Sequence, residues 1–133
     1  MPEKKTREAA RKDKREGKSA STQAGEYVKE EIEHIREGKH GARSAKQAIA
    51  IGLSKARRSG VKLKPPRQGQ TSERTRKSAA RELRASQSGT PKKPSVRRSR
   101  AALKKLKSEP RSAASHRALS RHARAVARQR KRR

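Results

Sequence analysis

Apolar residues are sparse along this chain, and where they recur they do so at helical spacing. Ala24, Val28, Ile32 and Ile35 follow one another at intervals of four, four and three, the periodicity of one helical face. Thr22 is placed to cap that helix and Gly38 to stop it. After the loop Gly38-Lys39-His40-Gly41-Ala42-Arg43, Ser44 opens a second helix, with Ser44-Ala45-Lys46-Gln47 in the capping-box pattern and Gly60 at the far end. On a helical wheel Ala45, Ala48, Ile49, Gly52, Leu53 and Ala56 fall within an arc of roughly 140°. The two stripes predict a helical hairpin over about 22–60, with Val61 and Leu63 folding back over its end. Ile51 lies off the main arc, among Gln47, Lys55 and Arg58, and is placed for a second contact.

The flanks carry much weaker patterns. Residues 1–21 hold no large aliphatic side chain after Met1 and mix charges densely, with Glu3/Arg7 and Glu8/Lys12 at i,i+4 spacing. A mixed-charge flexible arm is expected there. Pro65-Pro66 ends the module at 22–63. In residues 64–133 only six large aliphatics remain, in three helical patterns. Residues 72–86 start at Ser72 and carry Leu83, residues 95–108 carry Val96, Leu103 and Leu106, and residues 112–130 carry Leu119 and Val126. Gly89-Thr90-Pro91-Lys92-Lys93-Pro94 reads as a stiff basic linker. None of the three patterns has the apolar surface to be helical alone.

Composition strengthens that picture. Ile, Leu and Val number 14 in 133 residues, Phe and Trp are absent, and Tyr27 is the only aromatic residue. Chains this poor in large apolar residues and this rich in charge tend to be disordered. The expected fold class is therefore mostly α with extensive disorder: a short helical hairpin followed by a largely disordered basic tail with transient or ligand-induced helices. A module of about 40 residues rarely stands without a staple, a metal or a partner, so 22–63 is expected either to form a homodimer or to firm up on its ligand. There is no cysteine, no apolar leader and no stretch long enough to span a membrane, so a soluble cytoplasmic protein is expected.

Charge decides the class of partner. Lys and Arg number 41 against 12 Asp and Glu, a formal net charge of +29. Residues 1–37 hold ten basic and nine acidic side chains, and residues 38–133 hold 31 basic and three acidic. A polycationic body of this kind seeks a polyanion. In the last segment Arg117, Arg121, Arg124 and Arg128 occupy an arc of about 60° opposite Leu119, Ala123 and Val126. Such a row of guanidinium forks can follow a phosphate strand. Two large aliphatics and no aromatic make the same helix a poor membrane inserter. The residues expected to contact nucleic acid are Lys46, Lys55, Arg57, Arg58, Lys92, Lys93, Arg97, Arg98, Arg100, Lys104, Lys105, Arg117, Arg121, Arg124, Arg128, Arg130, Lys131, Arg132 and Arg133. Single-strand and RNA-recognition modules stack bases on aromatic rings, and one tyrosine cannot build such a platform. Double-stranded DNA or structured RNA is thus favoured as the ligand. His34, His40, His116 and His122 come without a cysteine or an ordered carboxylate set, and no metal site or cofactor is expected. No nucleophile elbow or phosphate-binding glycine loop is present, and no catalysis or small-molecule substrate is expected.

Two stretches resemble known sequences. Thr90-Pro91-Lys92-Lys93 resembles the Ser/Thr-Pro-Lys-Lys motif of linker-histone and histone tails, which implies a turn whose lysines lie along an A·T-rich minor groove. Residues 44–63, Ser-Ala-Lys-Gln-Ala-Ile-Ala-Ile-Gly-Leu-Ser-Lys-Ala-Arg-Arg-Ser-Gly-Val-Lys-Leu, are similar to the Lys-Gln-Ala-Ile-Ala-Ile-Ala-Leu-Ser-x-Ala-Arg-Arg-Ala-Gly core of a family of small basic bacterial proteins of unknown function. Glu37-Gly38-Lys39-His40-Gly41 resembles the loop before that core. This chain departs from it with Gly52 for Ala and Lys55 for Glu. The resemblance implies a bacterial source and a short helical module, and no activity. The function expected from the residues is non-sequence-specific nucleic-acid binding as a histone-like, nucleoid-associated DNA protein. The alternatives are an RNA- or ribosome-associated protein, and an interaction protein localised by its basic tail.

Overall fold

A computed structural model describes residues 2–87 and 95–131. Among these, six α-helices follow one another: α1 Lys4–Arg15, α2 Ala20–Arg36, α3 Ala45–Arg58, α4 Glu73–Gln87, α5 Val96–Ser108 and α6 His116–Lys131, with a 3₁₀ turn at Arg111–Ala114. The expected extensive disorder is therefore overturned. The arm is a helix, and the tail is three helices at nearly the positions their caps and breakers predict.

Local chemistry explains the boundaries. Gly38 and Gly60 end α2 and α3 with φ of 81° and 102°, a conformation that costs a glycine little. Each closes a Schellman pair: Lys39 N donates to His34 O at 3.0 Å, and Val61 N to Ala56 O at 3.0 Å. The Ser44 hydroxyl accepts from Gln47 N at 3.2 Å, while the Gln47 side chain reaches back to Arg43 N. The same serine cap opens α4, where Ser72 Oγ accepts from Thr75 N, and α6, where Ser115 Oγ accepts from Ala118 N. The helix expected from Thr22 begins earlier, because Ser19 Oγ accepts from Thr22 N at 3.2 Å and so caps α2 itself.

The chain divides into two compact units, one from Met1–Glu30 and Ile51–Lys93, the other from Glu31–Ala50 and Pro94–Arg133. Both helices of the expected hairpin are thus shared between the units.

In the first unit the core is Ala10, Ala24, Tyr27, Ala56 and Val61, with Ala20, Leu53 and Leu63 packed on it. Val61 and Leu63 fold back as expected. Ala10 brings α1 into this core, and that is why the arm is not flexible: a methyl group suffices where helices approach closely. Gly52 permits the approach, since a Cβ there would lie 2.6 Å from Val28 Cα. Polar groups complete the packing. Glu30, 3% exposed, accepts from Glu3 N at 2.6 Å and from the Thr6 hydroxyl at 3.1 Å. Ser54 Oγ donates to Glu82 Oε1 at 2.6 Å and ties α4 to α3.

The second unit is held differently. Its buried apolar side chains are Ile32, Ile35, Ala42, Ala45, Ala48, Ala113 and Ala114. Gly41 N donates to Leu106 O at 2.8 Å and Ala42 N to Pro110 O at 3.0 Å. Arg36 Nε donates to Ala114 O at 2.9 Å. In return the Arg111 guanidinium donates to Ile35 O at 3.3 Å, which also accepts from Gly38 N, and to Arg36 O, setting a positive charge at the carbonyl end of α2. Main-chain bonds of this kind contribute on the order of 1 kcal/mol each, and bonds from a charged donor about 2. This docking orders the tail despite its few large aliphatics. Alanines, a glycine and two arginines do work that a count of Ile, Leu and Val does not register.

Candidate nucleic-acid interface

The two arginines just described show that not every cation here is free for a ligand, and the expected contact residues divide accordingly. Arg57 is 6% exposed; it donates to Leu63 O and Lys64 O, both at 3.2 Å, and clamps the chain after α3. Burial holds its guanidinium below the ordinary value, with Glu82 opposing. Lys55 is half-buried and faces Glu30 at 4.0 Å. Both are braces of the first unit. Lys46 and Arg58 are exposed on α3.

Arg97, Arg98, Arg100, Lys104 and Lys105 are all exposed on α5, a helix with no buried residue that starts where Ser95 Oγ accepts from Arg98 N. Arg117, Arg121, Arg124, Arg128, Arg130 and Lys131 are exposed on α6, while Leu119, His122 and Val126 are half-buried. The four arginines at 117, 121, 124 and 128 form a row about 16 Å long at 1.5 Å per residue. Over that length B-DNA presents about ten phosphates on its two strands. Residues 95–131 carry 13 Lys and Arg against one acid, Glu109. Lys92, Lys93, Arg132 and Arg133, and with them the Thr90–Lys93 motif, lie outside the described residues.

Two basic surfaces of the first unit escaped the sequence reading. On α4, Arg74, Lys77, Arg81 and Arg84 are exposed within an arc of roughly 80°, away from the buried Ala79. On α1, Arg7, Arg11 and Lys14 line a groove of about 160 Å³ with Gln23, Tyr27 and Val61. Arg7 Nε is buried there without a hydrogen-bond partner among the described residues. The i, i+4, i+7 spacing of those three cations was the available signal, and the near-neutral average charge of residues 1–37 concealed it.

Tyr27, the only aromatic side chain of the sequence, is 2% exposed. It offers no ring face for a base to stack on. Among the described residues no helix is long and apolar enough to cross a membrane.

The structure also brings Glu31 together with two histidines, His34 and His40, from which no metal site was expected. Glu31, 1% exposed, lies with His34 and His40 so that one ligand atom from each falls within 4.8 Å of the others. His34 shares a helical face with Glu31 at i,i+3. His40 comes from the loop that Gly38 turns back, a placement no spacing rule reveals.

Residues 4–68 match a family described only as a family of unknown function (DUF6496). The matched stretch covers α1 to α3 and stops short of α4. No curated protein and no solved structure matches the chain.

Proposed function

We propose that this chain binds nucleic acid through its phosphates, without sequence preference, as a histone-like protein of the bacterial nucleoid with duplex DNA as its main ligand. The observation that carries this reading is the exposed arginine row on α6, on a helix without a single acidic residue. Phosphate contacts fix a protein on a duplex but carry no sequence information, and the row presents little else. The burial of Tyr27 supports duplexes over single strands, because base stacking is the usual means of holding an unpaired strand. Ser44–Leu63, the stretch that resembles the Lys-Gln-Ala-Ile core, falls largely on α3, whose exposed cations are few. In this reading α3 builds the scaffold and the later helices grip the ligand.

Gel-shift titration of the full chain against a short duplex at rising salt tests the proposal. With about eight phosphates neutralised, log K falls against log salt with a slope of about −7. A slope near zero would sink it. Competition with a structured RNA separates the DNA reading from the RNA alternative: duplex DNA should compete at least as well, and a clear preference for RNA would reverse the assignment.

A further inference from the structure

The geometry points to a zinc-type metal site formed by Glu31, His34 and His40, a site distinct from the basic surfaces. Glu31 is almost wholly buried, and its two oxygens point at different imidazoles. Oε2 is 3.1 Å from His40 Nε2, and Oε1 is 3.9 Å from His34 Nδ1. The rings stand nearly perpendicular, at 83°, with centroids 6.4 Å apart. Two imidazoles and one carboxylate are a donor set for zinc and its transition-metal neighbours rather than for calcium or magnesium. Around a tetrahedral ion with bonds of about 2.1 Å, ligand atoms lie roughly 3.3 Å apart. The separations here are close enough for side-chain rotation to close the site. Three protein ligands leave a fourth position for water.

A second observation concerns the far side of the His40 ring. Nδ1 lies 2.8 Å from Gly41 O. A carbonyl only accepts, so Nδ1 carries a hydrogen, and Nε2 is the ring nitrogen that faces the Glu31 carboxylate. Two acceptors facing each other require a cation between them: a proton, or in its place a metal ion. A backbone carbonyl orienting the distal N–H is also the usual second sphere of a metal-bound histidine. Side-chain exposures of 10% for His40 and 15% for His34 leave the ion a way in from solvent.

The consequence is structural. Gly41, whose carbonyl holds His40, is the residue whose N–H binds Leu106 O. An ion at Glu31, His34 and His40 fastens the loop at residues 38–42 to α2, and residues 106–114 dock on that loop. It staples the second unit, whose buried apolar residues are mostly alanines and whose remaining ties are main-chain and arginine hydrogen bonds.

The test uses the untagged full chain, freed of metal with a chelator and titrated with Zn²⁺ by calorimetry and with Co²⁺ by visible absorption. One ion is expected to bind per chain, with the intense d–d bands of four-coordinate cobalt, and Zn²⁺ should raise the melting temperature. His34→Ala, His40→Ala and Glu31→Gln should each weaken binding by roughly tenfold or more and abolish the thermal shift. The double variant H116A/H122A should bind as the parent does. Histidine-ring NMR of the unsubstituted protein decides without relying on any variant's fold: Zn²⁺ should move the His34 and His40 resonances and leave His116 and His122 in place. The proposal is overturned if no saturable binding occurs at micromolar metal, if the His34 and His40 variants bind like the parent, or if the ring shifts fall on His116 and His122.

Discussion

The two units of this small chain solve the same problem, order without a large core, by opposite means. The first uses one tyrosine, close-packed alanines and buried charge: Glu30 beneath α1, Arg57 clamping residues 63–64, and Asp13 facing Lys18 at 3.4 Å. The second uses main-chain hydrogen bonds and a reciprocal pair of arginines, Arg36 and Arg111, each satisfying a helix end. Each unit also exposes a row of four cations, on α4 and on α6. The helix of the first also carries Glu73, held by Arg76 at 3.2 Å, and Glu82, whereas α6 has no acidic residue. A basic protein must therefore be read cation by cation, because some hold the fold and only the remainder can meet a ligand.

The largest effect expected from this comparison is on binding. Replacing Arg117, Arg121, Arg124 and Arg128 with Gln should weaken duplex binding roughly a thousandfold near 0.1 M salt and flatten the salt slope by about 3.6. The same change at Arg74, Lys77, Arg81 and Arg84 should cost clearly less, and equal losses in gel shifts would break the distinction between the rows.

Next is Gly41→Ala. The new Cβ would sit 1.9 Å from Glu109 O, so the loop cannot keep its bonds to residues 106 and 110, and about 3 kcal/mol should be lost. Hydrogen exchange should show α5 and α6 deprotected while α1 and α4 keep their protection. Uniform loss across both units would show that they do not open separately.

Gly52→Ala sharpens the account of the first unit. Ala is the better helix former by about 1 kcal/mol, but a methyl 2.6 Å from Val28 Cα overpacks the α2–α3 contact at a cost of roughly 1–3 kcal/mol. A net lowering of the denaturation midpoint is expected, and a rise would mean that the two helices can separate to accept it.

The smallest effect concerns Glu26. Burial first, and then the hydrogen bond to Asp13, hold its carboxyl above the ordinary value of 4.5. A raised carboxyl favours the folded state in its protonated form, and that contribution is lost as pH climbs through the raised value. Glu26→Gln should therefore raise the melting temperature slightly at neutral pH, with the gain fading as pH falls through the raised value and absent below 4.5. A gain independent of pH would point to packing and not to charge.

The sequence by itself determined where helices start and stop. Ser44, Ser72 and Ser95 are caps, Gly38 and Gly60 are stops, and Pro65-Pro66 and Pro110 are breaks, all acting through bonds within a few residues of themselves. It also determined the one-sided row on α6, because a period of 3.6 residues converts spacing into a face without reference to any neighbour. Only the tertiary structure decided that the arm and tail are ordered, that Arg36, Lys55, Arg57 and Arg111 are spent on the fold, and that Glu31 meets His34 and His40. Those outcomes depend on contacts between residues distant in sequence, made by main-chain atoms and methyl groups. Such partners have no hydrophobic periodicity to announce them: a carbonyl is present at every residue, and which one an arginine finds is settled only when the helices have packed.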